Sequence, residues 1–591
     1  MQPTVQQQAI LQTNGDLVIN AVAGSGKTTT LMEYAKTRPA NSRILYLAFN
    51  KTVKTEAQHK FAAANLTNVK VETAHSLAFD HIVKFSPYKV VQGYKSHEWL
   101  DLLNIDTGDR HTDYIIASHI NKCISFFCNS KAAKVQELDY AATIADPKAR
   151  TFVNNFYSLI ERFTREALAK MEKGEIAITH DFYLKKFQLA KPRLPYDYIL
   201  FDEGQDASAA MLDVFLHQPA TKIIVGDMHQ QIYGWRYAIN SLQQVDFDKL
   251  HLTQSFRFDE EIALVANRIL AWKKHLQLPP AEKIIGAGQP GVVISQATLG
   301  RTNLQLLLNA IVQVQQGLSK LHFEGNINSY TFADEGASLY DILNLHSGKK
   351  SQVKDKLIAE MKSMQELEDY IEKTEDHSMG LMVEIVKQYG NQLPALISDL
   401  KSKHTAMREE AEMVFSTVHR CKGMEYDSVT LLNDFISEDK LQKAVVQESA
   451  TPDKALAYGR LAEEVNLLYV AATRAKSRLA MPPEINPLQS LVLAPTPTLP
   501  PSPPMGSARN GRFLNDWDMY NRQMIDDKGT STPRHKPGNS GKRWTDEETN
   551  QLSDLYLENK PLATIARELG RGQNAIRIKL QQIGLLEEGD I

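Results

Sequence analysis

The sequence predicts an α/β protein with two parallel-sheet domains that carry mainly helical insertions, followed by a small all-α C-terminal module on a Pro-rich linker. Short apolar runs alternate with helical patterns over roughly the first 480 residues, and strands that alternate with helices favour a parallel sheet covered on both faces. The composition then changes abruptly, because nine of the 24 prolines lie between Pro482 and Pro504. Such a stretch is typical of a linker.

Composition and charge exclude several classes of protein. The chain has 591 residues, 43% of them hydrophobic and 23% charged, which rules out a wholly disordered or collagen-like chain. Its formal net charge of −3 gives no global indication of nucleic acid, so such a partner must be met by a local basic or aromatic channel. The three cysteines, Cys123, Cys128 and Cys421, are too few for a disulfide framework and favour a reducing compartment.

The sequence shows no segment that predicts export or membrane insertion. The first ten residues lack both the basic region and the apolar core of a signal peptide. The longest uncharged stretch, residues 485–508, is about long enough to cross a bilayer, but its prolines cannot sustain a lipid-exposed helix. We therefore expect a soluble intracellular protein with no membrane partner.

Four apolar runs are predicted to be buried strands of the first domain. They are residues 17–19, 44–49, 198–201 and 222–225. The first two are followed by a polar turn and a helical pattern, and the last two stop at acidic or glycine-rich turns. The pattern between about 81 and 186 is helical and mixed, which indicates an insertion into this sheet. A second α/β unit from about 257 to 480 contains a charged helical segment at 347–408.

The first strand leads into a motif that predicts a phosphate site. Residues 21–28 read Ala-Val-Ala-Gly-Ser-Gly-Lys-Thr and are followed by a helix. Glycines allow backbone N–H groups to curl around phosphate oxygens, and the helix N-terminus adds the positive end of its dipole. In this P-loop, Lys27 supplies charge to the β- and γ-phosphates, and the Thr28 hydroxyl binds Mg²⁺. The alternative is a Gly-Ser turn before a helix.

Two adjacent carboxylates follow the strand at 198–201. Asp202 is predicted to hold Mg²⁺, and Glu203 to orient and deprotonate water in line with the γ-phosphate. The alternative is an acidic turn at the end of a strand, which is common in isolation. The P-loop upstream in the same predicted sheet favours the catalytic interpretation.

Four further motifs follow in order: residues 225–236, 254–257, 417–427 and 468–475, which begin Val-Gly-Asp-Met, Gln-Ser-Phe-Arg, Thr-Val-His-Arg and Leu-Tyr-Val-Ala. In this order and spacing they resemble the motor motifs of superfamily 1A helicases, the UvrD/Rep/PcrA group. Connecting stretches are similar to the helicase part of the F-box DNA helicases, and they are residues 178–181, 188–194 and 322–325. No F-box-like region is expected ahead of the P-loop.

The resemblance implies a particular division of the chain into two RecA-like P-loop motor domains with insertions. The expected parts are a first motor domain (1A) at 1–80 and 187–256, an inserted accessory domain (1B) at 81–186, a second motor domain (2A) at 257–346 and 409–480, a short helical insertion (a reduced 2B) at 347–408, the linker at 481–540 and the C-terminal module at 541–591. The insertion at 347–408 is much shorter than the regulatory domain of the UvrD group, which leaves open whether the protein unwinds DNA alone.

The same resemblance assigns nucleotide-binding and catalytic roles. Gln6 matches the glutamine that reads adenine, Phe256 the aromatic that stacks on it, and Glu425 the acid near the sugar. Gln230 matches the γ-phosphate sensor, and Arg257 and Arg474 match two arginines that reach the γ-phosphate from the second motor domain. The full expected ATP site is Gln6, Ala23, Gly24, Ser25, Gly26, Lys27, Thr28, Thr29, Phe256, Arg257, Gly423, Glu425 and Arg474, with Glu203, Asp202, Lys27, Gln230, Arg257 and Arg474 as catalytic residues. Taken singly, each arginine could instead form a surface ion pair.

A track for single-stranded DNA is expected beside this site. Tyr233 and Trp235 are two residues apart and would point the same way if the chain were extended there, and aromatic faces stack on any base. The resemblance places these residues on the strand path: Phe49, Asn50, Thr73, His75, Tyr233, Trp235, Arg236 and His419. The alternative for Tyr233 and Trp235 is ordinary packing in the core. Tyr237 stands where the family usually has glycine.

The C-terminal module resembles a Myb/SANT-like or helix-turn-helix unit of three short helices. The first begins near Trp544, the second carries Leu562, Ile565, Ala566 and Leu569, and the third carries Ile576 and Leu580 from about Gln573. Basic and polar residues on or near the third helix could meet phosphates or bases; they are Arg571, Asn574, Arg577 and Lys579. A protein-docking bundle is the alternative to a second DNA contact.

These observations together predict an ATP- and Mg²⁺-dependent 3′–5′ DNA helicase that acts on single strands and on duplex–single-strand junctions. The polarity is implied by the resemblance alone. Such a protein would serve DNA repair, recombination or replication, in the cytoplasm with the nucleoid or otherwise inside the cell. Two alternatives remain: a translocase that strips proteins from single strands without unwinding, and a nucleotide-controlled DNA-binding switch.

Overall fold

The computed structural model describes residues 2–331, 337–449 and 454–488, together with 548, 552, 562–569, 571 and 573–582. The chain forms two compact units, residues 1–494 and 495–591. The first unit is an α/β structure with two parallel sheets, which confirms the predicted fold class. We call residues 2–256 the first lobe and residues 257–488 the second lobe. In the described residues, none of the helices combines the length and the apolar character that crossing a membrane requires.

The first lobe is built on a six-stranded sheet in which all neighbouring strands are parallel. In spatial order the strands are Val69–Thr73, Ile44–Ala48, Tyr198–Phe201, Thr221–Gly226, Leu17–Ala21 and Asp248–Leu252. The strands Leu17–Ala21 and Ile44–Ala48 are buried at every position, as expected for a parallel sheet with helices on both faces. All four apolar runs predicted from the sequence are strands of this sheet.

Helices cover this sheet and form the insertion that follows it. The described α-helices of the first lobe are Val5–Gln12, Lys27–Lys36, Lys51–Ala63, Ala74–Ile82, Ser96–Leu103, Arg110–Asn129, Pro147–Glu172, His180–Leu189, Ala209–Leu216 and Ser241–Gln244. Helix Pro147–Glu172 starts as its sequence predicts, with Asp146 accepting hydrogen bonds from two backbone N–H groups and proline in the first turn. A short parallel pair joins Val90–Val91 to Ile178–Thr179.

The second lobe is built on a five-stranded parallel sheet. In spatial order its strands are Leu321–Phe323, Met413–Thr417, Gln296–Gly300, Tyr426–Leu431 and Ala475–Ala480. Its described α-helices are Glu260–Ala271, Asn303–Gln315, Leu339–His346, Lys356–Glu360, Met364–Thr374, His377–Tyr389, Leu393–Ser402, Glu438–Glu448 and Lys454–Ala472. A two-residue pair, Gln254–Ser255 with Ile285–Gly286, lies where the chain passes between the lobes.

The helix Met364–Thr374 packs against the helical insertion of the first lobe. Asp369 forms an ion pair with His111 at 3.0 Å, and Glu372 forms one with Lys148 at 2.8 Å. At the end of the same helix, the Glu375 carboxylate accepts hydrogen bonds from the backbone N–H groups of Ala145 and Asp146. The two insertions are therefore joined by several charged contacts as well as by apolar packing.

Two helices of the C-terminal unit are described, Leu562–Glu568 and Gln573–Gln582. Ile565, Leu569, Ile576 and Leu580 are buried, as predicted for these helices. Arg571 is an exception to our expectation of a nucleic-acid contact, because it is only 4% exposed and forms an ion pair with Glu548 at 2.7 Å. The predicted start of the first helix near Trp544 and the linker from residue 489 onward lie outside the described residues.

Candidate active site

The P-loop lies at the carboxyl end of strand Leu17–Ala21 and opens helix Lys27–Lys36. Gly24 and Gly26 have φ angles of 71° and 81°, in the left-handed region that favours glycine. A side chain at Gly24 would also collide with the second lobe, because its Cβ would lie 2.5 Å from Cβ of Arg257. The loop thus needs glycine both for its curl and for its contact with the second lobe.

Asp202 and Glu203 follow strand Tyr198–Phe201 and lie beside the P-loop lysine. The Tyr46 hydroxyl donates to Asp202 and also lies against Thr28. Burial and the neighbouring Glu203 charge raise the pKa of Asp202. For Glu203, burial acts in the same direction, but the charges of Lys27 and Lys422 outweigh it and lower the pKa. Glu203 is therefore the carboxylate that the protein itself keeps ionised.

The second lobe places two arginines opposite these groups. Arg257 Nε donates to Glu425 at 2.9 Å, and its guanidinium also donates to the backbone oxygen of Thr473. Arg474 is 1% exposed and donates to the backbone oxygens of Val470 and Met424. Burial lowers the pKa of Arg474 to about 10, so it remains charged at neutral pH. Both arginines reach the same cleft as Lys27.

This cleft has a volume of about 860 Å³ and contains most of the expected nucleotide site. The expected residues that line it are Gly24, Ser25, Gly26, Lys27, Thr28, Thr29, Asp202, Glu203, Gln230, Phe256, Arg257, Gly423, Glu425 and Arg474. The other two expected residues, Gln6 and Ala23, are not among the residues that line it. The Gln6 side chain is fixed by hydrogen bonds to Thr253, three residues before Phe256. Ala23 is buried, and its backbone N–H donates to the Tyr469 hydroxyl.

The donor chemistry of Thr28 and Asp202 fits Mg²⁺. Hydroxyl and carboxylate oxygens are the hard ligands that this ion prefers, and it usually takes only one or two protein oxygens together with phosphates and water. Across the part of the chain that the structure describes, there is no cluster of three or more His, Cys, Asp or Glu able to hold a metal ion. The two oxygens of Thr28 and Asp202 match the small number of protein ligands that such an ion takes. The Ser25 hydroxyl is buried without a hydrogen-bond partner among the described residues, as expected for a group that faces a phosphate.

Gln230 lies where the two lobes and the aromatic residues meet. Its amide donates to Asp227 at 2.8 Å, and the Tyr469 hydroxyl of the second lobe donates to the same carboxylate. Lys422 donates to the backbone oxygen of Gln230 and forms a buried ion pair with Asp206. Sequence reasoning missed Asp206, Asp227 and Tyr469 and left Lys422 open. Asp206 lies four residues beyond Asp202 in the same acidic turn, and that position was the available signal.

The aromatic residues form one cluster at the edge of the cleft. Phe49 stacks on Tyr233 with ring centroids 5.6 Å apart, and His419 lies 5.9 Å from Tyr233. Trp235 is 58% exposed, and the Arg236 guanidinium lies 4.6 Å from its ring centroid. Burial lowers the pKa of His419 to about 4, so its ring is neutral. We call these five residues the aromatic cluster.

The chain is not extended at Tyr233 and Trp235, so the condition under which the two rings would point the same way is not met. Residues Gly234–Arg236 form a 3₁₀ turn, and the two rings are tilted by 58° with centroids 6.5 Å apart. The turn is tight because Gly234 lies against the second lobe, where its N–H donates to Glu463 at 2.9 Å. Tyr233 is largely covered, whereas Trp235 faces solvent.

Three other residues predicted on the strand path have local structural roles as well. Asn50 and Thr73 cap helices Lys51–Ala63 and Ala74–Ile82, with their side chains accepting from Val53 and Ser76 backbone N–H groups. His75 lies apart from the aromatic cluster, beside Tyr183 and 3.8 Å from the Asp181 carboxylate. Asn50 lines the cleft with Phe49 and Tyr233.

Tyr237 has the backbone conformation of a glycine. Its φ is 58° and its ψ 25°, in the left-handed region, which is unusual for a bulky residue. Its ring lies 5.1 Å from Phe126, and its hydroxyl donates to the backbone oxygen of Lys122. The side-chain anchoring to helix Arg110–Asn129 accounts for a tyrosine at a position that favours glycine.

Comparison with known proteins agrees with this geometry. Residues 3–249 match the family model of the UvrD/REP helicase N-terminal domain. This matched segment contains the P-loop, Asp202, Glu203, Gln230 and all members of the aromatic cluster except His419. The resemblance predicted from the motifs is confirmed.

Relatives extend the similarity beyond this matched segment. The chain is 30% identical to F-box DNA helicase 1 of Gallus gallus over 525 residues, which cover 83% of this chain and 50% of the relative. It is 28% identical to F-box DNA helicase protein 1 of Schizosaccharomyces pombe over 80% of this chain and 56% of the relative. Similarity to ATP-dependent DNA helicase PcrA of Leuconostoc citreum is 25% over 45% of this chain and 38% of the relative. The chain thus spans about half the length of the F-box relatives that it matches.

Proposed function

We propose that this protein is an ATP-dependent DNA helicase that moves 3′ to 5′ along a single strand and separates the duplex at its junction with that strand. The proposal includes the division into two motor domains and the residue roles given above. It places the protein inside the cell, in DNA repair, recombination or replication. The relatives whose names describe DNA helicases support the activity, and the polarity comes from the family resemblance.

One observation carries the proposal: the P-loop and the Asp202 and Glu203 carboxylates of the first lobe line the same cleft as two arginines of the second lobe. An arginine that reaches the transferred phosphoryl group raises the hydrolysis rate by about 10³ to 10⁵. Because Arg257 and Arg474 belong to the second lobe, hydrolysis is fast only when the lobes are together. Nucleotide state then controls lobe position, which is the basis of a motor.

In this proposal each residue has a defined task in hydrolysis. Lys27 and the P-loop backbone bind the phosphates, and Glu203 accepts a proton from the attacking water. Thr28 and Asp202 would hold Mg²⁺, and the ion would supply positive charge to the bound phosphates. Arg257 and Arg474 stabilise charge that develops on the γ-phosphoryl oxygens.

The aromatic cluster is the proposed strand site. Base stacking on an aromatic side chain contributes about 1 to 3 kcal/mol for each base and tolerates every sequence. This range reaches above the mean stacking energy of about 1.4 kcal/mol for one step of a DNA duplex. Lys422 connects the two sites, because its ammonium lies 5.1 Å from the Tyr233 ring centroid and donates to the backbone of Gln230. Closing the cleft therefore moves groups that contact the strand site.

An unwinding assay tests the proposal. Duplexes with a 3′ overhang, a 5′ overhang or blunt ends are incubated with the protein, with and without ATP and Mg²⁺. We expect ATP-dependent separation of the 3′-overhang substrate only, and no separation by Glu203→Gln. Separation of the 5′-overhang substrate alone would contradict the polarity. ATP turnover stimulated by single strands without separation would instead indicate a protein-stripping translocase, and ATP-controlled binding without stimulated turnover would indicate a switch.

A further inference from the structure

A buried lysine joins the two lobes behind the cleft. Lys273 lies in the 3₁₀ turn Trp272–Leu276 of the second lobe and is only 6% exposed. Its ammonium donates to Nδ1 of His229 at 2.8 Å and to Oδ1 of Asn466 at 2.6 Å. His229 belongs to the first lobe, directly after strand Thr221–Gly226, whereas Asn466 belongs to helix Lys454–Ala472 of the second lobe. The Lys273 ammonium therefore forms a contact between the two lobes.

The charge has only neutral hydrogen-bond partners. Within the described residues, no carboxylate lies within salt-bridge distance of Lys273. Burial lowers the pKa of Lys273 to about 8 and the pKa of His229 to about 3. At neutral pH the ammonium is therefore mostly protonated and the imidazole is neutral, so Nδ1 accepts the proton of the hydrogen bond. The Asp227 carboxylate acts on the Lys273 ammonium through its charge but forms no direct ion pair with it. Burying an ammonium that is not directly paired is costly for stability, and an apolar side chain of the same length would avoid that cost.

The three side chains hold both neighbours of Gln230. Lys273 binds His229, the residue before Gln230. Lys273 also donates to the side chain of Asn466. The Asn466 amide donates in turn to the backbone oxygen of Gln231, the residue after Gln230, at 2.8 Å. Gln230 itself is 4% exposed and lines the nucleotide cleft. The segment that carries the proposed γ-phosphate sensor is thus fixed to the second lobe on both sides of the sensor.

We propose that Lys273 is a positioning residue: through His229 and Asn466 it holds the Gln230 segment in register with the second lobe, so that closure of the lobes places the Gln230 side chain for hydrolysis. This inference rests on the proposed function, because it concerns the rate of strand-stimulated ATP turnover. It predicts that removing the ammonium slows turnover and leaves nucleotide affinity unchanged, since Lys273 does not line the cleft.

The test compares Lys273→Met, Lys273→Arg and the wild-type protein. Lys274→Met is a matched control, because Lys274 is the next residue, is 66% exposed and reaches Glu438 only at 3.5 Å. The measurements are kcat and KM of ATP hydrolysis with saturating single-stranded oligonucleotide, affinity for a fluorescent ATP analogue, and the thermal midpoint. For Lys273→Met we expect kcat to fall about 10- to 100-fold, the loss typical of a reacting group displaced by a fraction of an ångström to one ångström. Affinity should change less than twofold, and Lys273→Arg should recover part of kcat.

The outcomes separate this inference from the proposed function. A wild-type protein whose turnover ignores the oligonucleotide would overturn both. Normal stimulation in the wild type together with normal kcat in Lys273→Met would overturn the role of Lys273 alone. A parallel loss of kcat, affinity and thermal midpoint, with no recovery in Lys273→Arg, would also overturn it, because that pattern indicates general packing. If Lys273→Met does not fold, Asn466→Leu receives the same measurements and is judged by the same outcomes.

Discussion

The nucleotide cleft and the aromatic cluster are neighbouring surfaces that are built in opposite ways. In the cleft, the buried charged groups are fixed by polar partners, as Arg474 is by backbone oxygens and Asp206 by Lys422. In the aromatic cluster, the contacts are between stacked, tilted and edge-on rings, and Trp235 is more than half exposed. Hydrolysis needs dipoles fixed before the reaction begins, whereas sequence-independent binding needs only accessible ring faces.

Substitutions in the two regions should therefore change different measured quantities. A change in the cleft removes a fixed charge and should act on the rate of hydrolysis by orders of magnitude. A change in the aromatic cluster removes one stacking face among several and should act on strand affinity by a smaller factor. Four substitutions test this contrast, beginning with the largest expected effect.

Arg257→Ala should lower strand-stimulated kcat by about 10³-fold or more, because the guanidinium no longer stabilises charge on the γ-phosphoryl oxygens. Steady-state ATP hydrolysis measures the change. Arg43→Ala is the control, since Arg43 is 63% exposed and lies at the opposite end of its strand from the cleft. A kcat for Arg257→Ala close to that of the control would remove Arg257 from the catalytic site.

Glu203→Gln should lower kcat by about 10² to 10⁴, the usual contribution of a general base. Affinity for ATP should be retained, because the amide keeps the size of the side chain and the phosphates are bound by Lys27 and the P-loop. Hydrolysis rates and nucleotide titrations measure the two effects. Glu33→Gln, on an exposed face of helix Lys27–Lys36, should behave as wild type. Equal turnover in both variants would contradict the role of Glu203.

Trp235→Ala should weaken binding of a single-stranded oligonucleotide by about 5- to 150-fold, which corresponds to one stacking interaction of about 1 to 3 kcal/mol. Fluorescence anisotropy of a labelled oligonucleotide measures the dissociation constant. Phe85→Ala removes an aromatic ring that is 92% exposed and outside the aromatic cluster, so it should have little effect. Unchanged affinity in Trp235→Ala would mean that Trp235 does not contact the strand.

Arg236→Gln should have the smallest effect, about a two- to fivefold loss of strand affinity, because an exposed cation–π contact contributes about 0.5 to 1 kcal/mol. Arg236→Lys should recover part of the loss, since it keeps the charge near the Trp235 ring. The same anisotropy titration measures both variants. A loss for Arg236→Gln as large as that for Trp235→Ala would show that the guanidinium, rather than the ring, dominates binding.

The strands and the glycine-rich loop of the first lobe could be predicted from the sequence for a physical reason. A buried parallel strand, a glycine-rich loop and a helix start each leave a local pattern, and Gly24, Gly26, Asp202 and Glu203 occupy the places that those patterns predict. The arginines could be found only through ordered motifs, because no local pattern tells a cleft arginine such as Arg474 from an arginine in an ion pair. Arg571 shows the risk, since its guanidinium forms an internal ion pair.

What the sequence missed depends on contacts between distant segments. The inter-lobe partners Tyr469 and Lys273 lie about 240 and 40 residues from the Asp227 and His229 that they contact, and nothing local indicates those pairs. The turn at Trp235 could not be predicted, because alternation of two aromatic residues is compatible with a strand, whereas the contact of Gly234 with Glu463 favours a 3₁₀ turn. The left-handed backbone of Tyr237 could not be predicted either, because it depends on the contact of the Tyr237 ring with Phe126, which is distant in sequence.

We propose that ATP is hydrolysed in the cleft between two lobes, and that closure of these lobes is coupled to a bound strand. The most direct test is the steady-state ATPase rate of the wild-type protein with and without a single-stranded oligonucleotide at saturating ATP and Mg²⁺. We expect the rate to rise several-fold as oligonucleotide is added. The concentration that gives half of this rise should equal the dissociation constant measured by anisotropy. A rate that stays the same at every oligonucleotide concentration would contradict it.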